Sequence, residues 1–304
     1  MRRDLVLFLL VALGGAWLVA APLWWSGAGL ATPGFALVAA AMMFTPALGV
    51  LAVRLADRST PARRWARDTG LGFGPSPKRT VGLLLAAYFG TPLLSALAVG
   101  ISAAVGVLEL DLAGFGLFTA QLEAAGVQPR GGAGALVAGQ LVTMVLVAPA
   151  LNAVLAFGEE WGWRGWLLPR LARHGVWPGL LLSGLIWGIW HAPVTALGYN
   201  YPHLGAWAAV LFTGFCVLCG LLLGWLRLRS GSVWPAVVGH GALNASAGLP
   251  LLLGSAEAPP NMALAGLVGL VGWAVLAVLA AVLLRSSPGG ADVPVERGRL
   301  RSSA

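Results

Sequence analysis

Apolar residues in this chain neither alternate nor recur on one face. They run on in stretches of about twenty, punctuated by short polar or Gly/Pro-rich breaks. About 20 apolar residues are what a helix needs to cross a bilayer core. Eight such stretches stand out, at 4–25, 33–53, 81–107, 134–157, 177–198, 204–226, 232–254 and 262–284. Each is predicted to be a helix. In lipid only helices and closed barrels satisfy the backbone, and a barrel would alternate apolar with polar residues. The fold class is therefore all-α, a polytopic membrane helix bundle of about eight transmembrane helices. The first stretch follows Arg2 and Arg3, as a secretory leader would. Its apolar run is too long for one and seven more follow, so it reads as a retained helix. Between the second and third stretches, the 54–80 loop is predicted to hold a short interfacial helix near Arg63–Arg67. The residues form one domain over 1–285. The Ser/Gly/Pro/Arg-rich end, 286–304, reads as a disordered cytoplasmic tail.

Composition narrows the picture further. Hydrophobic residues make up 58% of the chain and charged residues 10%, against about 25% charged in soluble domains. That excludes a soluble globule, and the high hydrophobicity excludes a disordered chain. The net charge of +8 would suggest nucleic acid in a soluble protein, but no basic patch here is interleaved with base-stacking aromatics. Basic residues instead sort by side. With eight spans, 18 of the 19 Lys and Arg residues fall in the termini and in the loops after spans 2, 4 and 6. Arg130 alone falls opposite, near Glu109, Asp111 and Glu123. The positive-inside rule then makes both termini cytoplasmic. Cys216 and Cys219 lie in an apolar run and read as small packing residues. The pairs Gly158/Gly162, Gly184/Gly188 and Gly220/Gly224 read as close helix contacts.

Ionisable residues inside spans are costly and mark function by default. Here they are few and late: Glu159 and Glu160, with Arg164, at the end of span 4; His191 in span 5; His240 in span 7, with Asn244 one turn on. Glu160 and Arg164 are four apart, so they share a helix face in the favourable order for an ion pair. Glu159 points about 100° away and is left free. Trp187 and His191 are also i, i+4, as are His240 and Asn244. A carboxylate, an imidazole and a His/Asn pair from three helices suit hydrolysis. Glu159 would be the general base, His191 would hold the water, and His240 with Asn244 would stabilise an oxyanion. The catalytic core would span about 134–254. His174 and His203 read as loop residues.

The run Glu159-Glu160-x-x-x-Arg164-Gly165, the ring four residues before His191, and His240-x-x-x-Asn244 resemble, in order, the three motifs of the CPBP intramembrane proteases. That family includes the type II CAAX prenyl endopeptidases and the abortive-infection and bacteriocin-immunity proteins. The resemblance implies that Glu159 and His191 activate water, that His240 and Asn244 form the oxyanion site, and that Glu160 and Arg164 support them. The family's usual second-motif aromatic is Phe; Trp187 keeps a packing ring there. Metal use stays open. Glu159, His191 and His240 would satisfy a catalytic zinc, although no H-E-x-x-H helix is present. The pairing of His240 with Asn244 favours metal-free glutamate-protease chemistry.

Two readings compete with the endopeptidase. One is an immunity or abortive-infection type membrane protein with little proteolysis; the other is a proton-coupled transporter using Glu159 and His191, for which no inverted repeat is visible. The expected partners are a membrane-associated protein or peptide and the lipid bilayer, not nucleic acid. The expected location is a bacterial inner membrane. Depth poses one difficulty. With span 4 ending at 157, Glu159 is interfacial, whereas His191 lies about 20 Å into span 5. The expected resolution is that span 4 continues through Trp161, Trp163 and Trp166 to Arg170.

Overall fold

The computed structural model describes residues 2–127 and 132–285. Among these the regular structure is helical, with one isolated antiparallel bridge between Leu110 and Gly254. We number the principal helices in chain order: α1 Arg2–Trp25, α2 Phe35–Ala56, α3 Ala62–Asp68, α4 Pro77–Ala104, α5 Gly116–Ala124, α6 Ala133–Leu146, α7 Ala148–His174, α8 Val176–Trp190, α9 Trp207–Ser230, α10 Trp234–Leu253 and α11 Leu270–Arg285. Each of the eight apolar stretches carries helix. Five of them, α1, α2, α4, α9 and α10, are long and apolar enough to cross a membrane, and α6 with α7 makes a sixth if the bent pair is one span. The helices in the fifth and eighth stretches, α8 and α11, are shorter. The short helix expected near Arg63–Arg67 is α3. Arg130 and the 286–304 tail lie outside the described residues.

Several ends differ from the expected ones, for local reasons. The fifth stretch stops being one helix at Trp190, before a single turn at Ala192–Thr195. Pro193 has no N–H for the carbonyl four residues back, so the ladder breaks there. The last helix starts at Leu270 rather than 262, because residues 262–269 turn through Gly266 at φ 73°. The seventh stretch is interrupted after Ser246, ahead of Pro250. The fourth stretch, in contrast, extends: α7 runs on through a π-helical segment at Trp161–Leu167 to His174.

The break between α6 and α7 bends the chain by 49°. Pro149 cannot donate into the preceding turn, and Ala150 N–H bonds the Val147 carbonyl instead of reaching one residue further back. The Leu146 carbonyl receives the Tyr88 hydroxyl at 2.7 Å from α4. A freed carbonyl at membrane depth needs such a partner.

Helix contacts run through the small residues. A methyl on Gly184 would meet Val217 Cα at 2.8 Å, and one on Gly188 would meet Thr213 Cα at 2.6 Å, both across the α8–α9 contact. Gly158 packs on the Met43 carbonyl and Gly162 on Pro46, both of α2, while Gly241 of α10 packs on Pro149 and Ala153 of α7. Gly220 faces the Gly184 backbone and Gly224 the Leu180 side chain. The three glycine pairs thus do what the pattern implied: backbones approach where no side chain intervenes. Ser95 and Ser246 share a buried hydrogen bond of 2.8 Å between α4 and α10.

Candidate active site

The extension of α7 sets the depth of the site. Glu159 lies fifteen residues before His174, the end of α7, and His191 lies fifteen residues after Val176, the start of α8. Both therefore stand the same number of residues from the connecting turn. The mismatch expected from a span ending at 157 disappears. Gly175, with φ 128°, makes that turn.

From α7 come Glu159, Glu160 and Arg164, all buried. Arg164 Nη1 donates to Glu160 Oε1 at 2.7 Å, as the i, i+4 spacing predicts. The same oxygen receives His240 Nδ1 at 2.9 Å from α10. Because the partner is a carboxylate, that nitrogen carries the proton, and Nε2 faces away from it. Glu160 thus joins a guanidinium and an imidazole inside the bundle. This differs from the sequence reading, which placed His240 only on the face it shares with Asn244.

Glu159 is also not free. Its Oε2 accepts the Trp187 indole N–H at 2.7 Å, and both side chains are buried. Trp187 stands at the centre of the cluster. The Arg164 guanidinium lies 4.2 Å over its ring, and the His191 and His240 rings meet it edge-on at centroid distances of 5.5 and 5.3 Å. His191 is half-buried at the end of α8. Its Nδ1 faces the Trp187 carbonyl at 2.9 Å. A carbonyl only accepts, so Nδ1 carries the hydrogen and Nε2 keeps its lone pair. Asn244, one turn beyond buried His240, is exposed on α10.

Around these groups stand residues that the sequence did not single out for the site. Trp190 and Phe212 meet the His191 ring at 4.6 and 4.7 Å. Trp190 Nε1 donates to Thr45 Oγ1 at 3.0 Å, which ties α8 to α2. Cys216 Sγ lies 3.8 Å from His191 Nδ1. No spacing within one helix announces Thr45, Phe212 and Cys216, since they come from α2 and α9. Cys216 and Cys219 are both free and buried, as packing residues would be.

The structure does not gather Glu159, His191 and His240 into a zinc site. Among the described residues no three His, Cys, Asp or Glu side chains gather as a metal-binding group. No step is therefore routed through zinc.

No curated protein matches the chain in sequence. The family model described as type II CAAX prenyl endopeptidase Rce1-like matches residues 138–246, a segment running from α6 to α10 that contains Glu159, Glu160, Arg164, Trp187, His191, His240 and Asn244. Over that segment the chain is similar to the Rce1-like family, a match that supports a place among the CPBP membrane proteins.

Proposed function

We propose that this protein is an intramembrane endopeptidase that hydrolyses a peptide bond of a membrane-associated substrate near the cytoplasmic leaflet. The observation that carries the reading is the convergence of Glu159, His191 and His240, from three helices, around the ring of Trp187. Charged and titratable groups at membrane depth are costly, so such a gathering needs a use.

In this reading Glu159 Oε1, the oxygen not held by Trp187, takes a proton from water as the water oxygen attacks the scissile carbonyl carbon. His191 Nε2 accepts the other hydrogen of that water and aims it. The carbonyl oxygen becomes an oxyanion. His240, with a proton on each ring nitrogen, donates from Nε2 while Nδ1–H stays on Glu160, and Asn244 adds its amide. Collapse of the tetrahedral intermediate breaks the C–N bond, and the leaving amine recovers the proton from Glu159. Glu160 and Arg164 hold His240 and keep the buried charge neutralised. The chemistry is that of a glutamate protease.

The membrane is proposed to be a bacterial inner membrane with both termini cytoplasmic, as the charge partition suggests. A proton-coupled transporter would favour matched broken helices in two halves. The described residues contain one bent pair, α6 with α7.

The test is purified protein in detergent with a cleavable membrane peptide, before and after exhaustive chelation. Glu159→Gln keeps the shape and removes the base, so cleavage should vanish in a folded protein. Asn244→Ala should slow turnover by about 10²–10³ without unfolding. Cleavage that survives in Glu159→Gln sinks the mechanism. Cleavage that dies on chelation and returns with zinc overturns the metal-free chemistry alone.

A further inference from the structure

Trp187 is buried, and its indole donates to a carboxylate, whereas those of Trp24, Trp190, Trp234 and Trp273 donate to backbone carbonyls or a hydroxyl. Its indole N–H reaches Glu159 Oε2 at 2.7 Å, a short charge-assisted bond when that carboxylate is ionised. The two residues come from different helices, α8 and α7. Three further contacts hold the indole at this angle: the Arg164 guanidinium at 4.2 Å over its face, and the edges of His191 and His240. Its own carbonyl also orients the His191 ring through Nδ1. A buried indole N–H needs an acceptor in any case; here that acceptor is one oxygen of the proposed base.

We infer that Trp187 is a positioning residue, its indole N–H fixing Glu159 so that Oε1 alone faces the reacting water. The inference rests on the proteolytic reading for its kinetic part, and not for the contact itself. A carboxylate has two oxygens and rotates about its last bond. Fixing Oε2 removes that freedom and leaves one oxygen and one direction for proton transfer. A misaimed base loses rate with little effect on how substrate binds.

Trp187→Phe keeps a ring and removes the donor. The expected result is kcat lower by about ten- to hundredfold, the worth of one hydrogen bond to a charged group, with KM within twofold and thermal unfolding near that of the parent. A ring serving only as packing would lower stability and leave kcat per folded molecule unchanged, and that result overturns the positioning role. The contact is read separately by ¹⁵N-labelling the 14 tryptophans and recording their indole N–H resonances in detergent. The Trp187 resonance, identified by its loss in Trp187→Phe, should lie at low field and move upfield in Glu159→Gln. If Trp187→Phe does not fold, the Glu159→Gln arm still reports, because it leaves Trp187 in place. Indole resonances unmoved in Glu159→Gln overturn the contact. Cleavage persisting in Glu159→Gln overturns the proteolytic reading and with it the role of Trp187 in turnover, while the indole shift still decides the contact.

Discussion

Glu160 is the residue on which the buried charge balance turns. One of its oxygens serves both Arg164 and His240, at 2.7 and 2.9 Å. Arg164→Ala would leave Glu160 buried with only the imidazole, and breaking a buried pair in this way costs about 3–5 kcal/mol. The expected outcome is poor accumulation and a lower unfolding temperature in detergent, more than a clean catalytic defect. A variant that is fully stable yet inactive would move Arg164 into the chemistry. At this scale the ion pair was legible in the sequence, because i, i+4 spacing is a property of one helix. The partner of Glu159 was not. Whether Trp187 meets it depends on how α8 crosses α7, which no spacing within either helix encodes. The Nδ1 partner of His240 was hidden for the same reason.

Among elements, the α8–α9 contact depends on absent side chains. Gly188→Leu would drive a branched side chain into the Thr213 backbone. Overpacking of this kind costs about 1–3 kcal/mol or more. Because α8 carries Trp187 and His191, activity per folded molecule should fall together with stability, checked by chemical unfolding alongside peptide cleavage. Equal stability and activity would mean that α8 and α9 separate more easily than their glycines suggest. The loop after α4 offers a pH test. The Asp111 carboxylate accepts the backbone N–H groups of Gly116 at 2.8 Å and Gly114 at 2.7 Å. These bonds hold it below its ordinary value of 3.8. Its contribution is therefore complete above that value and is lost as pH falls through the lowered one. Amide exchange at Gly114 and Gly116 should accelerate in that acid window, and at neutral pH in Asp111→Ala. Exchange unaffected by either change would remove Asp111 as the loop's anchor. The element pattern itself was largely readable from apolar run lengths. The breaks at Pro193 and before Leu270 were not, since a run of apolar residues looks the same whether its backbone is helical or turning. The continuation of α7 was readable only by comparing depths.

For the whole molecule, the sequence yields a side assignment that packing alone does not. If the one-sided distribution of basic residues, Arg164 within the site apart, reflects eight crossings, reporter fusions after Arg58 and at the C-terminus should read cytoplasmic, and one after Glu123 should read the opposite side. A cytoplasmic reading after Glu123 would discard the eight-crossing topology. The run-on hydrophobicity made the bundle legible, and its low charge left few candidates for the site. The neighbours contributed by α2 and α9 could not be foreseen, because they depend on which helices the bundle brings side by side.

The equal arms of the α7–α8 hairpin make it a caliper. Glu159 and His191 hang fifteen residues from either side of one turn, so their relative height is set by counting residues rather than by the surrounding bundle. A residue inserted at the Gly175 turn lengthens the hinge and leaves both jaws level. A residue inserted within α8 lifts His191 by about 1.5 Å and swings it about 100° off the axis of Glu159. Length variation in this protein is therefore tolerable at the hinge, where Arg173 and His174 precede Gly175, and ruinous a few residues beyond it.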